Sequence, residues 1–403
     1  MLKLAYRNIF RHRFRSAMTL AAIVFGVAGL ILSGGFVRDI YVQLAEALIH
    51  SQTGHLQIAR TGYFTHGSRS PEKYAIDKPD NLQRDIAALP EVQDVVARVH
   101  FSGLLNNGRT NWPIVGEGVE PGKEAKLSNF IHLVAGRQLQ DSDRFAVLLG
   151  QGTASALNVS PGDQVNLLVS TTEGALNSLE FEVVGVFQSF SKDFDARAVR
   201  IPIVAARELL DSERVNVLAV SLHRTADTDK VGAHLSGRVN AAGLELRTWV
   251  QLNDFYEKTV ALYEQQFGFL QLIVLAMVML SVANSIKMSV FERVGEFGTM
   301  MALGNRRGQV FRLVLLESAL LGVVGAVLGL LLGVAFALLI SAVGIPMPPP
   351  PNANIGYTAL VRVVPAVLFG ALAVGFIATV LAAAWSGVRV ARIPIAQALR
   401  TNA

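Results

Sequence analysis

The sequence predicts an α-helical membrane protein: four transmembrane helices plus a large water-facing α+β domain carried on helical stalks. Three observations predict it. First, four stretches run without a charge, Ser16–Val37, Gln265–Ile286, Ser318–Val343 and Val363–Val388. Each exceeds the roughly 20 residues that cross about 30 Å of hydrocarbon as a helix. Second, the 403 residues are 51% hydrophobic and 17% charged, with a mean hydropathy of +0.40 that is high for a soluble protein. Third, the long interval between the first two apolar stretches has the texture of strands, turns and amphipathic helices, enough for a domain of its own.

Charge placement predicts the orientation. Lys3, Arg7, Arg11, Arg13 and Arg15 precede the first span without an acid. Lys287, Arg293, Arg306, Arg307 and Arg312 lie between the second and third spans against only Glu292 and Glu296, and Arg389, Arg392 and Arg400 follow the fourth. By the positive-inside rule both termini and the central connection face the cytoplasm. The net charge of +5 then reflects topology and anionic headgroups, not nucleic acid. The basic, then apolar, N-terminus differs from a signal peptide in its longer apolar run and in lacking an Ala-x-Ala site, so Ser16–Val37 is expected to be retained. The chain has no cysteine, which excludes disulfides and thiolate chemistry.

Taken in order, Leu2–Arg15 reads as an amphipathic helix at the membrane surface, Leu2, Ala5, Ile9 and Phe10 facing lipid. Beyond Val37, the three-to-four spacing of Ile40, Tyr41, Leu44 and Leu48 continues the helix outward to about Ile49. Leu252, Phe255, Tyr256, Thr259, Leu262, Tyr263 and Phe267 repeat the pattern into the second span, so two unbroken helices are expected to form a stalk. Between them, Gly54–Arg60, Val92–Leu105, Val217–Leu222 and Leu244–Arg247 are strand-like, with helices over Asn81–Leu89 and Asp227–Arg238. Ala146–Gly150, Gln164–Ser170 and Phe181–Phe187 are short strands separated by turns at Pro161-Gly162-Asp163 and Glu173-Gly174. The stretch from Val119 to Val215 therefore reads as a small β-rich insert.

The stretch VFERVGEFGTMMALGNRRGQVFR, from Val290 to Arg312, is a charged helix between two spans. Gly304-Asn305 can close it with φ > 0 before Arg306-Arg307. Glu317 is the one acid in the third apolar run and is near enough to the interface to pair with Arg312 or Arg306. Gly325, Gly329 and Gly333, with Gly322 a turn earlier, form tandem GxxxG, a groove for a close helix neighbour within the chain or across a dimer. Pro346 and Pro348–Pro351 make the third-to-fourth connection, Gly344–Arg362, a stiff non-helical cap.

Motifs for chemistry are missing. The only Gly-Lys pair is Gly122-Lys123, with Glu117 where the phosphate loop needs Gly and Glu124 where it needs Ser or Thr. ATP must be handled by another chain. The eight histidines include no i,i+4 pair, so no metal site is expected. Ser221-Leu222-His223, Asp193 and Asp195 lack a G-x-S-x-G elbow and read as solvated polar groups.

ERVGEFGTMMALGNRRGQV resembles the cytoplasmic coupling segment of the permeases related to MacB, LolC/LolE and FtsX, where Glu-Arg-x-x-Glu followed by Ala-Leu-Gly rests on a separate ATPase. LAYRNIFRHRFRSAMTLAAIVFGV resembles the family's opening and GVRVARIPIAQALR its ending. AGRQL, VLLGQGTASALNVSPGDQV, FEVVGVF and RTWVQL are similar to phrases of its periplasmic domain, a porter-like fold with a β-rich insert. The resemblance implies a bacterial inner-membrane order. It runs as a cytoplasmic amphipathic helix (1–15), first span (16–37), periplasmic domain with stalks (38–266, insert about 119–215) and second span (267–286). A cytoplasmic coupling segment (287–312), third span (313–343), periplasmic loop (344–362), fourth span (363–386) and cytoplasmic tail (387–403) follow.

It further implies a non-catalytic subunit with two copies of an ABC ATPase that binds ATP and Mg, and a second permease chain, identical or homologous. A periplasmic adaptor or carrier is left open. Glu292, Arg293, Glu296, Met300, Leu303, Gly304 and Arg306 are the expected contacts to the ATPase, the charges fixing register and the apolar face supplying area. In plan the chain resembles the lipoprotein-releasing LolC/LolE permeases, which suggests lipoprotein or lipid cargo released by mechanotransmission. The cargo cleft would lie near Phe25, Ile31, Phe36, Ile40, Phe267, Phe269 and Leu270. MacB-like efflux of peptides or toxins with an adaptor, and an FtsX-like signal relay, are the alternatives. A membrane-anchored binding module would leave Val290–Arg312 without a role.

Overall fold

The computed structural model describes residues 13–67, 71–128, 130–349 and 356–390. Most of the expected surface helix over 1–15, most of the tail over 387–403, and Pro350 and Pro351 lie outside the described residues. The helices are α1 (Arg13–Leu48), α2 (Pro79–Ala87), α3 (Pro121–Leu127), α4 (Gln151–Leu157), α5 (Lys192–Asp195), α6 (Ile203–Leu210), α7 (Thr228–Ala241), α8 (Trp249–Leu252), α9 (Asp254–Glu292), α10 (Val294–Ala302), α11 (Arg307–Val343) and α12 (Pro365–Val390). The strands of the large sheet are β1 (Leu56–Arg60), β2 (Val92–Asn106), β3 (Asn111–Val119), β4 (His132–Gly136), β5 (Ala146–Gly150), β6 (Gln164–Ser170), β7 (Leu176–Gln188), β8 (Ala198–Pro202), β9 (Val217–Leu222) and β10 (Leu244–Thr248).

Two units make up the chain. One is the sheet unit, Gln43–Lys258 with Met347–Tyr357, and the other is the helical unit that holds the rest. The sheet is mixed, in the order β10-β1-β9-β2-β3-β8-β5-β7-β4, with β6 beside β2 and β7. The 15-residue β2 is its spine, pairing with β9 through its first half and with β3 and β6 through its second. The strands of the β-rich insert enter this same sheet, β8 lying parallel to β3 and β5 parallel to β7. β5, β8 and β9 are buried on both faces, which is why they do not alternate: β5 reads as an unbroken apolar run, while β8 and β9 are interrupted only by the buried Arg200 and Ser221. α7 buries Val231, Leu235 and Val239, one stripe at four-residue spacing.

The second stalk is broken where the spacing predicts continuity. Leu252 ends α8, Asn253 leaves helical space (φ −124°, ψ 75°), and α9 starts afresh at Asp254. Asn253 explains the break, because its Nδ2 donates to the Trp249 carbonyl at 2.6 Å and so competes with the backbone ladder. At its other end α9 runs to Glu292, past the uncharged stretch.

In the helical unit, α1, α9, α11 and α12 are the helices long and apolar enough to cross a membrane among the described residues. The GxxxG groove of α11 is filled from within the chain. A Cβ at Gly325 would meet Ile23 at 2.8 Å, one at Gly329 would meet Val27 at 2.8 Å and the Val24 carbonyl at 2.9 Å, and one at Gly333 would meet Ile31 at 3.1 Å. All three partners belong to α1. Gly322 faces Thr379 of α12 instead, at 3.2 Å.

Candidate functional site

α10 hangs between two long helices, and the chain turns sharply at each of its ends. At the first end Arg293 leaves helical geometry (φ −111°, ψ 12°). Its Nε donates to Glu296 at 3.0 Å and its Nη1 to Glu317 of α11 at 2.8 Å, while the guanidinium lies over the Phe297 ring at 5.1 Å. At the second end Gly304 takes φ +99°. Its N–H donates to the Met301 carbonyl at 3.1 Å and that of Asn305 to Met300 at 3.0 Å. These two bonds satisfy the last carbonyls in a Schellman closure that only a residue free to adopt positive φ permits cheaply. α11 then starts with the Arg306 N–H bonded to Gln309 Oε1 at 2.9 Å. Phe297 and Met301 are buried with Val282, Ile286, Val310 and Leu313, which fixes α10 against its own bundle.

This placement divides the expected contact residues. Arg293, at 7% side-chain exposure, points inward and is enclosed by two carboxylates; a guanidinium so buried needs such partners. Met300 is half-buried against the bundle, and Glu296 is half-buried beside Arg293. Glu292, Leu303 (86% exposed), Gly304 and Arg306 face outward, with Phe291 beside Glu292 in sequence. The partner of Glu317 among the described residues also differs from expectation. It is Arg293, not Arg312 or Arg306, because the closure at Gly304 folds α10 back along α11 and brings together residues 24 positions apart.

At the other end of the bundle a cavity of about 680 Å³ opens between α1, α9 and α12. Leu30, Val37, Leu272, Val367 and Val374 give it apolar walls, and Arg38, Tyr41, Glu264 and Gln271 supply polar groups. Of the expected cleft residues only Phe267 lines it. Ile31 is buried in the α1–α11 seam, Phe36 and Ile40 are half-buried, and Phe25, Phe269 and Leu270 are exposed. Beside the cavity Asp39 of α1 is fully buried. Its Oδ1 accepts from Arg362 Nε at 2.7 Å and its Oδ2 from the Leu360 N–H at 2.8 Å. Sequence reasoning missed this pin, although a charge flanking each span was its visible trace.

Residues 16–237 match the MacB-like periplasmic core domain, and residues 268–395 match the FtsX-like permease C-terminal region. The first match alone takes in more than half of the chain. This chain is an ABC transporter permease of the MacB/LolC/FtsX superfamily. The permease is 23% identical over 363 residues to an uncharacterized ABC transporter permease of Methanocaldococcus jannaschii, covering 85% of this chain and 84% of that one. It is 24% identical over 346 residues to the lipoprotein-releasing system transmembrane protein LolC of Neisseria meningitidis serogroup B, covering 83% and 79%. It is 25% identical over 391 residues to the macrolide export ATP-binding/permease protein MacB of Hyphomonas neptunium, covering 93% of the permease but 57% of that protein. The permease is a multi-pass membrane protein of a family whose members are transporter subunits, and α10 lies within the FtsX-like match.

Proposed function

We propose that the permease is the non-catalytic membrane subunit of a transporter driven by two separate ABC ATPase subunits, which bind ATP and Mg. It would pair with a second permease, identical or homologous, in the bacterial inner membrane. In this proposal α10 and both termini are cytoplasmic and the sheet unit is periplasmic. ATP binding draws the two α10 segments together, α1 and α9 carry the movement outward, and a lipoprotein or lipid is released from the outer leaflet.

The observation that carries the proposal is α10 itself: a short helix pinned to α11 at its first end, closed on its own carbonyls at its second, and packed on the bundle through Phe297 and Met301, that still presents Glu292, Leu303 and Arg306 outward. A solvated loop needs neither pins nor a closure. The cavity supports the cargo class, since apolar walls suit acyl chains and Arg38, Tyr41 and Glu264 suit a headgroup. Its volume falls within the about 300–1,000 Å³ of small-molecule sites. MacB-like efflux of a peptide or toxin is the second proposal, favoured by the 93% of the permease that aligns with a macrolide exporter.

Two measurements test this. Glu292→Lys with Leu303→Asp, both at exposed positions, should abolish co-purification with the co-expressed ATPase subunit while membrane insertion persists; undiminished co-purification overturns the α10 assignment. Mass spectrometry of the detergent-purified complex should find lipid or acylated protein, and a bound peptide without acyl chains would favour efflux.

A further inference from the structure

The outer end of α1 is held in an unusual way. Past Leu48 the helix continues as one wider turn, Ile49–Thr53, and stops at Gly54 (φ +68°). A helix terminus leaves its last carbonyls without intrahelical donors, and here each of them finds a donor in the sheet unit. The His50 carbonyl accepts from the Phe130 N–H at 3.2 Å, that of Ser51 from Arg200 Nη2 at 3.3 Å, that of Gln52 from Arg98 Nη1, and that of Thr53 from Gln57 Nε2 at 2.9 Å. The two arginines are neutralised behind the contact. Glu124 takes Arg98 through both oxygens, at 3.0 and 2.7 Å, and Glu117 takes Arg200 Nε at 2.9 Å. Ser128 Oγ donates to Glu124 and accepts from Arg200 Nη1 at 3.4 Å. All four charged side chains are buried.

Arg98 sits on β2, Glu117 on β3, Glu124 on α3 and Arg200 on β8. Burial pushes the Glu117 carboxyl up, and the Arg200 and Arg98 guanidiniums overcome this and hold it at about 2, so Glu117 stays charged at any physiological pH. An apolar contact is non-directional and lets a helix slide or turn. Hydrogen bonds to two consecutive carbonyls at the helix end fix both its axial position and its rotation. Positive charge at a helix C-terminus also complements the helix dipole.

From this geometry we infer that Arg98 and Arg200 are positioning residues that clasp the end of α1 and deliver its movement to the sheet. The inference rests on the proposed function and adds to it the point at which force would pass from the helix to the sheet.

The permease has no cysteine, so Val42→Cys and Thr110→Cys can carry a pair of spin labels without background. The experiment measures the label distance by pulsed electron resonance in the complex with the co-expressed ATPase, in nanodiscs, with and without ATP and vanadate. The test variant is Arg98→Met with Glu124→Leu, because exchanging a whole buried ion pair for apolar residues usually preserves folding. The parent should show a nucleotide-dependent shift. The variant should lose at least half of it while unfolding close to the parent temperature, with its ATPase complex still hydrolysing ATP, and Arg98→Lys should recover part of it. A full shift in the folded variant overturns the clasp. Should the variant not fold, Arg200→Lys decides: a reduced shift supports the clasp and an unchanged one overturns it. If the parent itself shows no shift, ATP-driven movement fails, and the clasp falls with it for a reason distinct from its own.

Discussion

α1 and α9 are helices of similar length and composition, yet they are held in opposite ways. Of the most apolar stretch of α1, 39% is buried, against 17% for α9. α1 fits the glycine groove of α11, is pinned at Asp39, and ends in the arginine clasp. α9 begins at the break of Asn253, next to a four-residue helix attached to the edge strand β10, and it exposes Phe269, Leu272, Met277 and Leu280 along one side. Two parallel rods were the simplest expectation. The structure instead pairs one helix held by polar contacts along its length with one interrupted at Asn253, and under the proposed function the first would be the member that transmits movement.

The largest effect should come from breaking the clasp on one side only. Glu124→Leu leaves Arg98 buried without its carboxylate, and should cost about 3–5 kcal/mol. Adding Arg98→Met should restore most of that. Asn253→Ala, at the interrupted helix, should change unfolding by no more than about 0.5 kcal/mol. Thermal unfolding of the three variants in one detergent measures the asymmetry directly, and equal losses at both helices would erase it.

The next effect is a pH dependence at the same helix end. Burial lowers the His55 pKa from 6.5 to about 4. Its Nδ1 accepts the Leu222 N–H at 3.1 Å, a bond that protonation would break, and its Nε2 lies 3.2 Å from Thr225 Oγ1, which in turn donates to Glu46. Because the folded pKa is below the unfolded one, the unfolded chain binds the extra proton between pH 6.5 and 4. This contribution is complete above 6.5 and is lost as pH falls toward 4, by up to about 3 kcal/mol. His50 acts oppositely, since its hydrogen bond to Glu46 raises its pKa. That contribution is complete below 6.5 and fades as pH rises through the raised value, so it acts above the His55 window and leaves the slope between pH 4 and 6.5 unchanged. His55→Asn should flatten the slope of stability between pH 4 and 6.5, and an unchanged slope would assign it to other groups.

In the bundle, Gly329→Leu should separate α1 from α11 at a cost of about 1–3 kcal/mol. Val27→Ala should relieve only part of it, because the Val24 carbonyl, at 2.9 Å from the added Cβ, is backbone. Full rescue would show that the seam yields through side chains alone.

The contrast between these features also explains what the sequence could reveal. The spans, the strands and Gly304 were legible because each is a local pattern: an uncharged run, an alternation, a glycine after an apolar helical face. The clasp was not, because Gln52, Arg98, Glu117, Glu124 and Arg200 come from separate elements, and nothing local marks them as neighbours. In the chain Arg98 is one of two charges, with Asp94, in a largely apolar strand, and Glu117 and Glu124 figured only as departures from a phosphate loop. Glu317 was legible as an oddity and illegible as a pair, since sequence distance favoured Arg312 while the fold-back of α10 supplied Arg293. Of the residues expected at the cleft only Phe267 lines the cavity, for the same reason: apolar spacing marks Ile31 as part of a packed face, but not that Gly333 is its neighbour.

The smallest effect on folding should be at the open side of α9. Leu280 is 70% exposed, so Leu280→Ala should move unfolding by no more than about 0.5 kcal/mol. A loss well beyond that would mean that the side chain is packed within its own chain and that α9 is held as tightly as α1. If a second permease covers this face, the same substitution should lower the dimer fraction in nanodiscs while unfolding stays put. Apolar exposure gives membrane helices little drive to associate in lipid, and close packing supplies it. A helix left loose by its own chain, with its large side chains aligned, is therefore the one whose position a partner can set.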